Sequence, residues 1–540
     1  MTKTNTLFYL LIIVAIYIIG AVNIDLMDND ATQYATIAMQ MEESGNYLEP
    51  VWRDWEYLDK PPLLFWLSSW FFSLFGINHF AYRLPSILIN LLGIFSTYKL
   101  GKRLYSEKAG LYAAVIFAST FGNFVVNHDV RTDTMLTGFM IFSMWQLYDY
   151  LDLKRIKNFI WAFIGIGMAM LTKGPIGLVV PVLAFAPYLI FKGKWKDLFR
   201  PEWLLGLVII AIVLLPMTIG LYNQHGMKGV EFYFWTQSFG RLTGENYWVD
   251  NSGPFFFVHS FLWSFIPWTI LAVVAYFKKW YSLFKKKGNT EILTLSGITL
   301  VFIGMSMSSY KLPHYIYVVF PLVAILTGDL IERSFKPVKW EGFGKALYVS
   351  QAVFNILLWV GIVLTFFIFT DASWWIYLVT WFIFSYYFFT SLNKDSKNTR
   401  IFSTTLITML GVAFILNTHF YPGLNPYQAG PVSGRDIKKM DIQPKSLVIY
   451  KAHRPSMDFY SERIIPRAKT EHALDSILIA NKPKYIFTNQ RWLEELNDKG
   501  LEFEVVIPYD EFHTSTLTLP FINPATRQGV LKKSFLLKIK

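Results

Sequence analysis

The sequence predicts an α-helical polytopic membrane protein of about 13 transmembrane helices, followed by a small C-terminal α/β domain. Three observations carry that expectation. Of 540 residues, 53% are hydrophobic and only 16% charged, whereas soluble domains run at about 45–50% and ~25%. Apolar runs of spanning length recur along the chain, and the mean hydropathy is +0.35. After Tyr421 those runs stop, and short β-like stretches alternate with helical ones.

A helix needs about 20 apolar residues to cross ~30 Å of hydrocarbon. The first such run is Leu7–Ile24. It is long for a signal peptide, and no small-residue cleavage site precedes the acidic stretch Asp25–Asp30, so it reads as an uncleaved helix with Lys3 on the inside. Twelve further segments follow, at 83–101, 109–126, 135–151, 158–172, 176–191, 203–221, 254–277, 291–308, 313–329, 345–370, 374–391 and 401–420. The shorter run 61–76 reads as re-entrant or interfacial. If it does not cross, the basic loops carrying Lys102 and Arg103, Lys154 and Arg155, Lys192 to Arg200, Lys278 to Lys287, Arg333 to Lys345 and Lys394 to Arg400 all fall inside. If it crossed, all of these would face outside, against the positive-inside rule.

The same distribution explains the net charge of +12. A soluble protein with that charge would suggest nucleic acid; here the cations sit in short loops that orient helices. There is no cysteine, which excludes disulfides, a thiolate zinc site and a cysteine nucleophile. Residues 1–421 thus form the membrane domain, with outer loops 25–82 and 222–253. Residues 422–540 form the α/β domain, with strands expected near Ser446–Tyr450, Tyr485–Thr488 and Phe503–Ile507. An odd number of spans puts that domain outside, and it has no Gly-rich phosphate loop.

Six polar groups collect on the outer face. They are Asp25/Asp28/Asp30; Trp52–Pro62, which includes Tyr57, Asp59 and Lys60; His128–Asp133; Thr172–Pro175 with Lys173; the loop 222–253 with Glu231, Gln237, Arg241 and Glu245; and Ser309–Tyr315 with Lys311 and Tyr315. Singly, each has a plain reading: an acidic cap, a helix N-cap at Asp133, snorkelling lysines, an interfacial aromatic belt. Together they place acids and bases on one surface at membrane depth, where polar residues are costly and mark function. Carboxylates suit a base or a metal. Lysine and arginine at headgroup depth suit a phosphate. That combination fits transfer of a sugar from a polyprenyl phosphate, an Asp taking the acceptor proton and the cations stabilising the departing phosphate. No nucleotide is needed. One base without a carboxylate nucleophile favours inversion.

At these residues the sequence resembles the GT-C membrane glycosyltransferases of the protein mannosyltransferase superfamily, nearest to the bacterial 4-amino-4-deoxy-L-arabinose lipid A transferase branch. The resemblance rests on Asp30-Ala31-Thr32-Gln33-Tyr34-Ala35 for D-E-x-x-Y-A and Tyr57–Leu63 for Y-x-E-K-P-P-L. It rests also on Asp133 before the fourth span, Leu171–Pro175 for L-T-K-G-P, Phe239–Arg241 through Pro254 and Pro267-Trp268, and Lys311–Tyr315 for K-L-P-x-Y. It implies thirteen spans, a periplasmic site and a C-terminal periplasmic domain in a bacterial inner membrane, with the N-terminus cytoplasmic. It further implies Asp30 and Asp133 as catalytic residues and Tyr57, Lys60, Lys173, Arg241, Lys311 and Tyr315 as substrate-binding. Asp59 would be a ligand for a divalent cation; a lone interfacial histidine such as His419 is more often hydrogen-bonded than a metal ligand. The implied partners are a polyprenyl-phosphate-linked sugar, a lipid A, glycolipid or protein acceptor, and membrane lipids. Ala31, Gln33, Asp59 and Gln237 depart from the family pattern and leave sugar and acceptor open. A protein O-glycosyltransferase with the same donor, a lipid or sugar transporter, and a non-catalytic scaffold are the alternatives.

Overall fold

The computed structural model describes residues 1–540 except 28–29, 238–239, 241–251, 286–290, 335–340, 370–373, 394–396 and 453. The first ten helices are α1 (Lys3–Asn23), α2 (Asp30–Ser44), α3 (Leu63–Phe75), α4 (His79–Leu104), α5 (Glu107–Ala118), α6 (Phe121–His128), α7 (Thr132–Leu153), α8 (Ile156–Lys173), α9 (Ile176–Phe191) and α10 (Glu202–Glu231). Helices Phe256–Ser264, Thr269–Phe284, Leu293–Ser306, Phe320–Ser334, Glu341–Thr365, Trp374–Leu392 and Lys397–Ile415 follow.

Every segment expected to span is helical, but several are broken. The expected span 109–126 is α5 and α6, bent by 52° at Ser119-Thr120. The expected span 254–277 divides at Phe265–Trp268. Among the described residues, six helices are long and apolar enough to cross a membrane, or seven if the bent pair is one span. The run 61–76 is α3, 13 residues, about 20 Å at ~1.5 Å per residue and too short for ~30 Å of hydrocarbon. The outer loop expected at 222–253 opens as helix: α10 continues to Glu231, with a break at Gly226.

Helices α4, α5 and α7 approach closely because small residues line their contacts. A Cβ on Gly138 would stand 2.4 Å from the Ile89 carbonyl oxygen, and one on Gly93 would meet the Gly138 Cα at 3.0 Å. Without a hydrophobic drive between helices in lipid, such contact is a main source of association.

Arg83 of α4 is fully buried. Its guanidinium donates to the carbonyls of Ala21 (2.8 Å), Ile24 (2.6 Å), Asp25 (3.3 Å) and His128 (2.9 Å). Those oxygens lie where α1 and α6 end, the negative poles of two helices. The clamp fixes the points from which the chain departs toward Asp30 and toward Arg131.

Beyond Tyr427 the chain forms helix Ala429–Lys439, then a five-stranded mixed sheet. A two-residue hairpin, β1 (Val51–Trp52) and β2 (Trp55–Glu56), precedes it in the chain. The sheet strands are β3 (Leu447–Tyr450), β4 (Arg467–Ala468), β5 (Tyr485–Asn489), β6 (Phe503–Glu511) and β7 (Lys532–Ile539), in spatial order β4-β3-β5-β7-β6. β3 is parallel to β4 and β5, while β7 is antiparallel to β5 and β6. Helix Pro455–Ser461 rests on the first outer loop. Its Tyr460 hydroxyl accepts from the Leu26 amide at 2.8 Å, and Asp458 receives the Arg53 guanidinium. Arg435 grips Asp25 through both carboxylate oxygens, at 2.8 and 2.9 Å.

Replacing Gly138 with Val should lower stability by about 1–3 kcal/mol, the usual cost of overpacking. Gly361, whose Cβ would meet nothing within 4 Å, should accept Ala without loss. Thermal unfolding of both variants in detergent checks the contrast.

Candidate active site

Three helix boundaries bring the polar groups together. α3 starts at Leu63 directly after Pro61 and the N-cap Pro62, so Asp59 and Lys60 stand just ahead of a helix N-terminus. α7 opens with Asp133 in its first turn. α8 closes on Lys173 because Gly174 takes φ 88° and Pro175 follows. An acid at an N-terminus and a base at a C-terminus each suit the local helix dipole. α7 and α8 pack side by side, and the two ends meet: Lys173 Nζ lies 2.5 Å from Asp133 Oδ1. His314 Nε2 approaches the other Asp133 oxygen at 3.7 Å. Asp133 is almost wholly buried, so this pair is held far more firmly than a surface pair would be.

Asp30 begins α2. Its Oδ2 accepts from Arg131 at 2.7 Å, and Arg131 also reaches Asp129 at 3.0 Å. The Asp30 side chain keeps 43% of its surface exposed, so a substrate hydroxyl has access to it. Tyr34 and Tyr57 lie buried behind. Burial first, then the charges of Asp30 and Asp59, push both phenols well above their ordinary value. Both therefore stay protonated, as neutral donors. Asp59 Oδ2 receives Lys60 Nζ at 2.6 Å, and its Oδ1 receives Gln237 Nε2 at 3.0 Å.

A groove of about 220 Å³ leads from these groups into the helices. Lys60, Asp133, Lys173, Gln237 and Tyr315 line its polar mouth; Ile176, Val179, Leu183, Val301 and Met305 line the rest. Lys173 Nζ sits 3.8 Å from the centre of the Tyr315 ring, a cation–π contact that fixes both. The arrangement offers two ammonium groups to an anion while an apolar channel opens beneath them.

The residues expected from sequence divide unevenly. Asp133, Lys60, Lys173 and Tyr315 share the groove, and Asp30, Tyr57 and Asp59 adjoin one another beside it. Lys311 is not among the groove-lining residues; its ammonium donates to the Ser252 carbonyl at 3.1 Å. Lys311 precedes the extended Leu312, whereas Tyr315 lies in the 3-10 helix Pro313–Val319, so the two take different courses. Arg241 lies outside the described residues. Both oxygens of Asp59 receive side-chain donors, from Lys60 and Gln237, and among the described residues no three His, Asp or Glu side chains gather to hold a metal. His419 is enclosed instead by the rings of Phe366, Phe369 and Tyr377. Sequence reasoning did not single out Arg131 or His314, although each lies within two residues of a residue that it did.

The family model described as dolichyl-phosphate-mannose-protein mannosyltransferase matches residues 59–219, a stretch that starts at Asp59 and contains Lys60, Asp133 and Lys173. Superposed on ArnT from Cupriavidus metallidurans bound to undecaprenyl phosphate, the chain gives a TM-score of 0.76 at 18% identity, covering 94% of this chain and 97% of that one. The chain shares the fold of that structure. Its curated relatives extend the likeness. The undecaprenyl phosphate-alpha-4-amino-4-deoxy-L-arabinose arabinosyl transferase of Erwinia tasmaniensis is 27% identical over 61% of this chain and 58% of its own. That of Pseudomonas aeruginosa strain LESB58 is 26% identical, over 62% and 61%. The matches thus span about three-fifths of those relatives' length. With six or seven helices among the described residues long and apolar enough to cross a membrane, the chain is a multi-pass membrane protein of bacterial type.

The buried pair is the sharpest test of this geometry. Lys173→Met alone should cost about 3–5 kcal/mol, because it leaves the Asp133 charge buried without its cation. The double variant Asp133→Asn/Lys173→Met should regain most of that loss. Thermal or denaturant unfolding across the full cycle measures the coupling.

Proposed function

We propose that this protein is a glycosyltransferase that moves a sugar from a polyprenyl phosphate to an envelope glycolipid of the lipid A type. The observation that carries the reading is the groove, whose two lysines stand at the mouth of an apolar channel. A donor of this class has the matching parts: an anionic phosphate, a sugar and a long hydrocarbon tail. The tail enters among Ile176, Val179, Leu183 and Met305, while the phosphate meets Lys60 and Lys173.

In the proposed reaction, an acceptor hydroxyl or phosphate oxygen attacks the anomeric carbon as the bond from that carbon to the phosphate oxygen breaks. When the acceptor is a hydroxyl, its proton passes to Asp30. The departing polyprenyl phosphate gains negative charge, which the ammonium groups of Lys60 and Lys173 stabilise in a site shielded from water. Arg131 holds one oxygen of Asp30 and so sets the direction of the carboxylate. Asp133 holds Lys173 in place. We further propose that the site and the C-terminal sheet face the periplasm from the inner membrane, with the N-terminus in the cytoplasm. The orientation is supported by the single-sided distribution of basic loops, and the donor class by the relatives named undecaprenyl phosphate-alpha-4-amino-4-deoxy-L-arabinose arabinosyl transferase.

Asp30→Asn should reduce turnover by about 10²–10⁴-fold with donor affinity unchanged. Lys60→Ala should weaken donor binding by about tenfold or more. Mass spectrometry of purified protein with polyprenyl-phosphate sugars and lipid A, scoring released polyprenyl phosphate and glycosylated acceptor, checks both. Full turnover by Asp30→Asn would remove it as the base.

A further inference from the structure

A second cavity lies away from the groove, where the β1–β2 hairpin faces the C-terminal sheet. It encloses about 560 Å³, and Trp52, Arg53, Asp54, Trp55, Arg467 and Lys469 are among its walls. The hairpin is pinned from below. Arg53 is buried and takes φ 61° at the turn; its backbone amide donates to Gln40 Oε1 at 2.7 Å, and its guanidinium donates to Asp458 and to the Ile465 carbonyl. The cavity therefore has a fixed floor.

Its charge is unbalanced. The wholly buried Asp458 is already committed to Arg53. Arg467, on β4, stands close enough to Arg53 that burial and then this neighbour push its guanidinium below the ordinary value. Among the described residues, neither Arg467 nor Lys469 has a carboxylate within 4.0 Å. Asp54 is the one acid on the wall, against two cations without ion pairs. An anion entering here would relieve like-charge repulsion and gain the forked donors of an arginine. Trp55 completes the site. It is 69% exposed and sits on a two-stranded hairpin held by Arg53, so its indole face is available to the C–H face of a sugar ring.

We propose that this cavity binds a phosphorylated saccharide, with Trp55 against the ring and Arg467 and Lys469 on the phosphate. The proposal goes beyond the transfer reaction and does not depend on it. The site lies on the loop that continues into Asp59 and Lys60.

The test is isothermal titration calorimetry of the full chain in detergent against glucose 1-phosphate, glucose and inorganic phosphate. The expected result is saturable binding of glucose 1-phosphate, tighter than either fragment. Arg467→Gln and Trp55→Ala should each weaken it by about tenfold, and Lys60→Ala should leave it unchanged. Trp55 is exposed, so its removal spares the fold. The absence of saturable binding, or binding indifferent to both variants, would overturn the proposal. Loss of binding in Lys60→Ala would also overturn it, by moving the ligand to the groove. Inorganic phosphate binding as tightly as glucose 1-phosphate would refute recognition of the sugar, and glucose binding as tightly would refute recognition of the anion. Because donor binding at Lys60 is read separately, this failure is distinct from failure of the transferase reading.

Discussion

The buried guanidinium of Arg83 sets the geometry on which the candidate active site depends. Moving an arginine out of water costs several kcal/mol unless its donors are met. Here they are met by carbonyls at the ends of α1 and α6 and by Asp25. Because those carbonyls must converge on one plane, two chain segments that leave the membrane separately are held side by side. Asp30 lies five residues beyond Asp25, and Arg131 lies three beyond His128. Their ion pair follows from the clamp. Arg435, bonded to Asp25 through both oxygens, ties the C-terminal part of the chain to the same point.

The rest of the site shows how helix ends can carry charge at membrane depth. Asp133 at the start of α7 and Lys173 at the end of α8 are each favoured by their own helix dipole and then by one another. Two stabilising effects act on the same pair, so it can be buried where either ion alone would be too costly. The hydrocarbon-lined groove begins at this pair. A ligand with a phosphate and an apolar tail meets both halves at once, which a free sugar phosphate or a plain lipid would not.

The helical architecture was legible because a run of about 20 apolar residues has few other folds in lipid. Breaks within a run were not. Nothing in the composition of 109–126 marks Ser119-Thr120 as a bend; the signal is tertiary, with Ser119 Oγ receiving the Trp268 indole at 3.0 Å and Thr120 capping α6. β3, β5 and β6 stood out by their β-branched runs, whereas β7, Lys-Lys-Ser-Phe-Leu-Leu-Lys-Ile, carries no clean alternation, since the adjacent Leu536 and Leu537 are both buried. At the site, Asp30, Lys60, Asp133 and Lys173 could be named from motif and topology. Arg131 could not, since its meeting with Asp30 is set by a clamp made from a different helix. Lys311 and Tyr315 share one short motif, yet only Tyr315 lines the groove; the change from extended Leu312 to a 3-10 helix at Pro313 separates them, and spacing alone does not encode it.

In the proposed reaction the groove beneath Lys60 and Lys173 holds the donor's hydrocarbon tail. Photo-crosslinking with a polyprenyl phosphate carrying a photoreactive group near its phosphate end, followed by peptide mapping, tests it most directly. Labels confined to peptides containing 173–183 and 301–318, and competed away by unlabelled polyprenyl phosphate, are the predicted result. Labels spread over the outer helix surfaces, or concentrated elsewhere and insensitive to competition, would contradict it.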